Sequence, residues 1–132
     1  MTLVRADRSR SVIEFGAIKI LDRIFGALLL VDSMLHSYGS ISAYPAGGQE
    51  LVWALSGSLA GGLIAVLNLV RSGRPNDLIL AWITCIASLC WVAVAVAFGA
   101  AIGNLIDPRV LWHVISALVL AVFSLRTATG NA

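Results

Sequence analysis

The chain alternates long apolar stretches with short polar ones. Four stretches are almost free of charge: roughly Ile24–Ile41, Leu51–Val70, Leu78–Ala101 and Val110–Leu125. Each holds about 16–24 residues, and about 20 helical residues cross a ~30 Å hydrocarbon core. Between them lie turn formers. Ser42-Ala43-Tyr44-Pro45-Ala46-Gly47-Gly48 follows the first stretch, and Arg71-Ser72-Gly73-Arg74-Pro75-Asn76-Asp77 follows the second. Before the fourth, Asp107 can cap a helix and Pro108 fits its first position, where the missing N–H costs nothing. Asn76 or Asp77 can cap the third in the same way.

The pattern predicts an all-α polytopic membrane protein with four transmembrane helices. Short connections force antiparallel neighbours, so the expected architecture is an up-down four-helix bundle whose first helix touches the second and the fourth. Residues 1–132 then form a single membrane domain, with residues 1–23 as a cytoplasmic N-terminal segment. Val12–Arg23 mixes apolar and charged residues, which suits an extension of the first helix with Lys19 and Arg23 reaching the headgroups. The first apolar run begins more than about twenty residues into the chain and contains Asp32, so it is expected to stay as an anchor and not to be cleaved as a signal peptide.

Composition closes off the soluble alternatives. Mean hydropathy is +0.93, and only 12% of residues are charged. The net charge of +2 matters less than its placement. Arg5, Arg8, Arg10, Lys19, Arg23, Arg71, Arg74 and Arg126 fall on one side of the alternating spans, and Arg109 alone falls on the other. This positive-inside asymmetry puts both termini in the cytoplasm and the loops Ser42–Glu50 and Ile102–Pro108 outside. A bacterial inner membrane is the expected location. The lipid bilayer is the expected surrounding, and no nucleic acid is expected as a partner.

Cys85 and Cys90 lie five residues apart within the third span and so point to different faces, which disfavours a disulfide. Small residues mark candidate packing faces: Gly57 with Gly61, Ser58 with Gly62, and Gly99 with Gly103. Such pairs let helix backbones approach where lipid supplies no hydrophobic drive between helices.

Chemistry is confined to a few polar residues inside the spans. Asp32 lies about 12 Å above the inner boundary, near the midplane. A carboxylate there costs about 2.5–3.5 kcal/mol on insertion scales, so a partner, water or a proton must offset it. His36, four residues on, is the first partner to consider. Asp22, Gly26, Leu29, Ser33, His36 and Ser40 form one polar-and-small stripe. His113, Ser116, Ala117, Leu120 and Ser124 form a matching one on the last helix. Both stripes are expected to face the interior, which brings Asp32, His36 and His113 to similar depth. Asn68 is expected near the inner headgroups, and Trp82 and Trp91 to face lipid or pack.

Three functional readings fit these residues. The first is a non-catalytic assembly module that packs with itself as a homo-oligomer or within a larger membrane complex, with the polar cluster fixing register. The second is a proton-coupled small-solute transporter working through Asp32 and His36, because carboxylate–imidazole pairs titrate near physiological pH. The third is b-type haem or metal ligation by His36 and His113, which otherwise carries no cofactor motif. No nucleophile–base pair, phosphate loop or metal motif argues for an enzyme.

Overall fold

The structure, a computed structural model, describes residues 2–130, with side chains from residue 16 onward. Among the described residues every regular element is helical: α1 (Thr2–Ala43), α2 (Gln49–Ser72), α3 (Leu78–Ala101) and α4 (Pro108–Ala128). The side chains of Arg5, Arg8, Arg10, Val12, Ile13, Glu14 and Phe15 lie outside the described residues. Three helices are long and apolar enough to cross a membrane, α2, α3 and α4, with best-window mean hydropathies of 1.7, 2.4 and 1.8. The first helix is not one of these three. Its 42 residues reach about 63 Å at helical rise, and Asp22, Asp32, His36 and a run of serines interrupt its apolar character.

The helix ends follow from local chemistry. Asp77 accepts a hydrogen bond from the Leu80 amide at 3.0 Å and caps α3. Asp107 accepts from the Arg109 amide at 2.9 Å, and Pro108 opens α4. Gly103, with φ of +67°, lies beyond the end of α3 in a conformation that suits a residue without a Cβ. It therefore belongs to the α3–α4 turn and not to a packing pair with Gly99.

The helices pack in a ring in chain order. α1 lies chiefly against α2 and α3 against α4, α1–α4 and α2–α3 contacts close the ring, and α2 touches α4 across it. Two of the predicted packing glycines hold close approaches. A Cβ on Gly61 would stand 2.9 Å from Ser33 Oγ and 3.0 Å from the Trp91 ring, and one on Gly99 would stand 3.0 Å from Val110. Gly62 faces Ser33 and Leu30 more loosely, and Gly57 faces open space. Gly26 makes a further close contact, under Leu69. Leu29, Ala65 and Leu120 form the central apolar knot. The outward faces are apolar on every helix: Leu35, Trp53, Ile79 and Leu118 are all exposed.

Candidate functional site

Two polar groupings sit inside the bundle, at opposite ends. The one nearer the start of α4, termed outer, gathers residues from all four helices, and the one nearer its end is termed inner. Ser33 on α1 packs over Gly61 on α2, and the Trp91 ring on α3 packs over the same glycine. Trp91 stands edge-on to the His113 imidazole of α4, with centroids 5.7 Å apart and planes at 81°. Its indole Nε1 donates to His113 Nδ1 at 3.4 Å. Indole nitrogen can only donate, so Nδ1 accepts and the neutral ring carries its proton on Nε2. Nε2 points at Asp32, whose Oδ2 lies 3.1 Å away.

His113, not His36, is therefore the partner of Asp32. His36 is exposed. The buried face of α1 runs through Leu29, Ser33 and Ser40 with Ser37 half-buried between them. At about 3.6 residues per turn Ser33 and Ser37 lie to one side of Ser40 and His36 to the other, and in this part of α1 the buried arc covers the first side. The remainder of both stripes is buried as expected: Asp22, Gly26, Leu29, Ser33 and Ser40 on α1, and Ser116, Ala117, Leu120 and Ser124 on α4.

Two buried oxygens in this region are left over. Asp32 Oδ2 is close to His113 Nε2 but lacks the alignment of a hydrogen bond, and Ser116 Oγ has no partner at all. Other interior hydroxyls settle on their own backbone. Ser33 donates to the Leu29 carbonyl, Ser40 to that of His36 and Ser58 to that of Ala54. Ser116, fully buried and one turn along the same α4 face from His113, does not. An orphaned buried hydroxyl and a half-satisfied carboxylate cost free energy unless something else meets them. His113 Nδ1 accepts from Trp91, while Nε2 stands 3.1 Å from Asp32 Oδ2 without hydrogen-bond alignment. Among the described residues no group of three or more His, Cys, Asp or Glu side chains is placed to hold a metal ion.

The inner grouping contains Asp22 and Ser124 of the expected interior stripes, but its centre was not expected. Arg71, expected as a loop cation, lies in the last turn of α2 at 1% exposure. Its Nη2 donates to Asp22 of α1, its Nη1 to Thr127 of α4 at 3.1 Å, and its Nε to Asn68 at 3.4 Å. Asn68, expected near headgroups, is the hub instead. Its amide donates to the Ile64 carbonyl and to Ser88 of α3, while its Oδ1 accepts from Arg71 and from Ser124 of α4. Thr84 Oγ1 joins Ser124 at 3.1 Å. One continuous network thus ties all four helices together. The signal for it in the sequence is the position of Asp22, on the interior stripe and in register with Gly26, Leu29 and Ser33.

At the opposite end of the bundle, Arg109 Nε and Nη2 both donate to Asp107. These bonds hold the Asp107 carboxyl at about 2, below the usual carboxylate range. Cys85 is buried and Cys90 exposed, on different faces as expected. Trp82 is exposed, whereas Trp91 belongs to the outer site.

No family model, curated protein or solved structure matches the chain.

Proposed function

We propose that the protein is a four-span membrane protein with both termini in the cytoplasm of a bacterial cell. In this reading the Asp32–His113 pair is a protonatable site that binds a small solute in exchange for a proton. The lipid-exposed side of α1 supports the fourth span: Leu28, Val31, Leu35, Tyr38 and Ile41 are exposed along it, like the outward residues of the other helices. The observation that carries the site is the pair of orphaned oxygens, Asp32 Oδ2 and Ser116 Oγ, beside an imidazole fixed by Trp91. A hydrogen-bond-donating or cationic solute satisfies both oxygens. A cationic solute and a proton compete for the same carboxylate oxygens of Asp32, and that competition couples them. This keeps the transport reading and replaces His36 with His113 as the partner of Asp32. The protein remains non-catalytic.

The assembly reading keeps one supporting observation. Gly57 on α2 faces open space, so its side of the helix can accept a neighbouring helix closely.

The test is a double-mutant cycle of Asp32→Asn and His113→Gln, read as thermal stability in detergent at neutral and acid pH. Calorimetric titration with benzylamine at the same two pH values runs alongside it. The expected result is a non-additive cycle, as for residues in contact, together with benzylamine binding that weakens as pH falls and is lost in Asp32→Asn. Additive effects and no pH-dependent difference between wild type and Asp32→Asn would remove the site from the account.

A further inference from the structure

A cavity of about 290 Å³ opens at the basic end of the bundle, between α1, α2 and α4. Three cations line it, Lys19, Arg71 and Arg126, against one carboxylate, Asp22. Asp22 is already matched by Arg71, so Lys19 and Arg126 carry the uncompensated charge. Neither has an ion-pair partner among the described residues. Arg71 is committed but not exhausted. A guanidinium offers five N–H donors, and three of them serve Asn68, Thr127 and Asp22. Two remain on a side chain that is almost fully buried. Apolar walls from Ile18 and Phe123 complete the cavity.

We infer that this cavity is a binding site for a phosphate-bearing anion, seated against Arg71 and clamped by Lys19 and Arg126. Planar, preorganised guanidinium donors match phosphate oxygens in pairs. The buried, hydrogen-bonded Arg71 supplies that geometry, while the two exposed cations supply charge. The size lies at the lower edge of the ~300–1,000 Å³ typical of ligand sites, enough for a phosphate group and its immediate linkage. Basic pockets between membrane helices at headgroup depth take anionic lipid headgroups, and the apolar walls suit a glycerol or acyl segment. A free phosphate offers the same oxygens without that segment. The site is independent of Asp32 and lies at the other end of the bundle.

Two arms separate the sources. In the first, the protein is embedded in nanodiscs of phosphatidylcholine doped with phosphatidic acid, extracted, and scored for retained lipid by native mass spectrometry. A direct ion pair between an exposed cation and the bound phosphate is worth up to about a fivefold change in binding. Arg126→Gln should therefore weaken retention by up to about fivefold, and Lys19→Gln with Arg126→Gln by up to roughly thirtyfold. Arg126→Lys should restore it. Arg74→Gln removes the same charge from the same end but lies outside the cavity, and should change nothing. In the second arm, inorganic phosphate is compared with chloride at equal ionic strength by thermal stability. Stabilisation of the wild type and not of the double variant assigns the site to a soluble phosphate as well, and supports the inference. Retention that is equal in wild type and double variant, with no phosphate stabilisation, overturns it. So does a loss with Arg74→Gln as large as that with Arg126→Gln, because retention then follows general surface charge.

Discussion

Asp22 and Arg71 carry the sharpest consequence of any two residues in the chain. Forty-nine positions separate them, yet they meet inside the bundle with 1% and 8% side-chain exposure. Two charges at that depth are held by mutual attraction and by the hydrogen bonds of Asn68 and Thr127, and each partner alone is a liability. Removing one member of a buried pair costs about 3–5 kcal/mol, while replacing both by neutral groups of similar volume is often nearly neutral. Arg71→Leu should therefore lower stability by about that amount in a detergent unfolding titration. Asp22→Asn combined with Arg71→Leu should recover most of the loss. A double variant as unstable as the single would mean that Arg71 acts through its packing and its bond to Asn68, and that the Asp22 charge adds nothing. The sequence alone conceals this pair. Asp22 falls on the stripe expected to face the interior, but Arg71 looks like an interfacial charge, since it stands next to the end of an apolar run and fits the basic asymmetry. Asp32 was different, because a carboxylate at mid-span has no such innocent reading. Its partner, however, depends on which face of α1 meets α4, and a stripe of seven-residue spacing leaves positions 36 and 37 equally plausible until the buried arc is known.

At the scale of the helices the sequence is far more legible. Span lengths, turn residues and caps are local properties, and α3 begins and ends at the expected residues while α2 and α4 extend only a few residues further. Packing faces are less so, because a glycine pair can be read from spacing but its neighbour cannot. Gly57 and Gly61 look equivalent in the chain and differ completely in the fold. A methyl group on Gly61 meets both Ser33 Oγ and the Trp91 ring, the side chain that orients His113. A methyl on Gly57 meets nothing. Gly61→Ala should therefore lower the melting temperature and shift Trp91 fluorescence, because overpacking a filled site typically costs about 1–3 kcal/mol. Gly57→Ala should leave the Trp91 signal unchanged and gain up to about 1 kcal/mol of helix propensity. If the two substitutions behave alike, the convergence of α1, α2 and α3 at Gly61 is not what positions the outer site. A drop in self-association confined to Gly57→Ala would instead favour the assembly reading.

For the molecule as a whole, the open question of consequence is whether α1 crosses the membrane, because that decides which side each end of the bundle sees. Asp22, Ser33 and Ser40 lie along the side that packs into the bundle, and apart from His36 its outward side over residues 24–41 is apolar like the exposed surfaces of the other three helices. A helix packed against spanning neighbours and buried along most of its polar stripe needs less intrinsic hydropathy than an isolated one, since those polar atoms do not meet hydrocarbon. Charge gives the direction. Arg71 drops out as a free cation because it is paired inside the bundle, but Lys19, Arg23, Arg74 and Arg126 still lie at one end, while Arg109 at the other is matched by Asp107. A four-span arrangement therefore places residues 17 and 76 inside and residues 46 and 106 outside. In a background with Cys85 and Cys90 replaced by alanine, single cysteines at Ala17, Ala46, Asn76 and Ile106 can be tested in intact cells with a membrane-impermeant maleimide. Ala46→Cys and Ile106→Cys should label, and Ala17→Cys and Asn76→Cys should label only after lysis. Labelling of both Ala17→Cys and Ala46→Cys from outside would leave α1 lying along the surface with three spans beside it. Asp32 and His113 would then sit at a surface and not within a bilayer, and proton-coupled solute exchange across the membrane would lose its geometry.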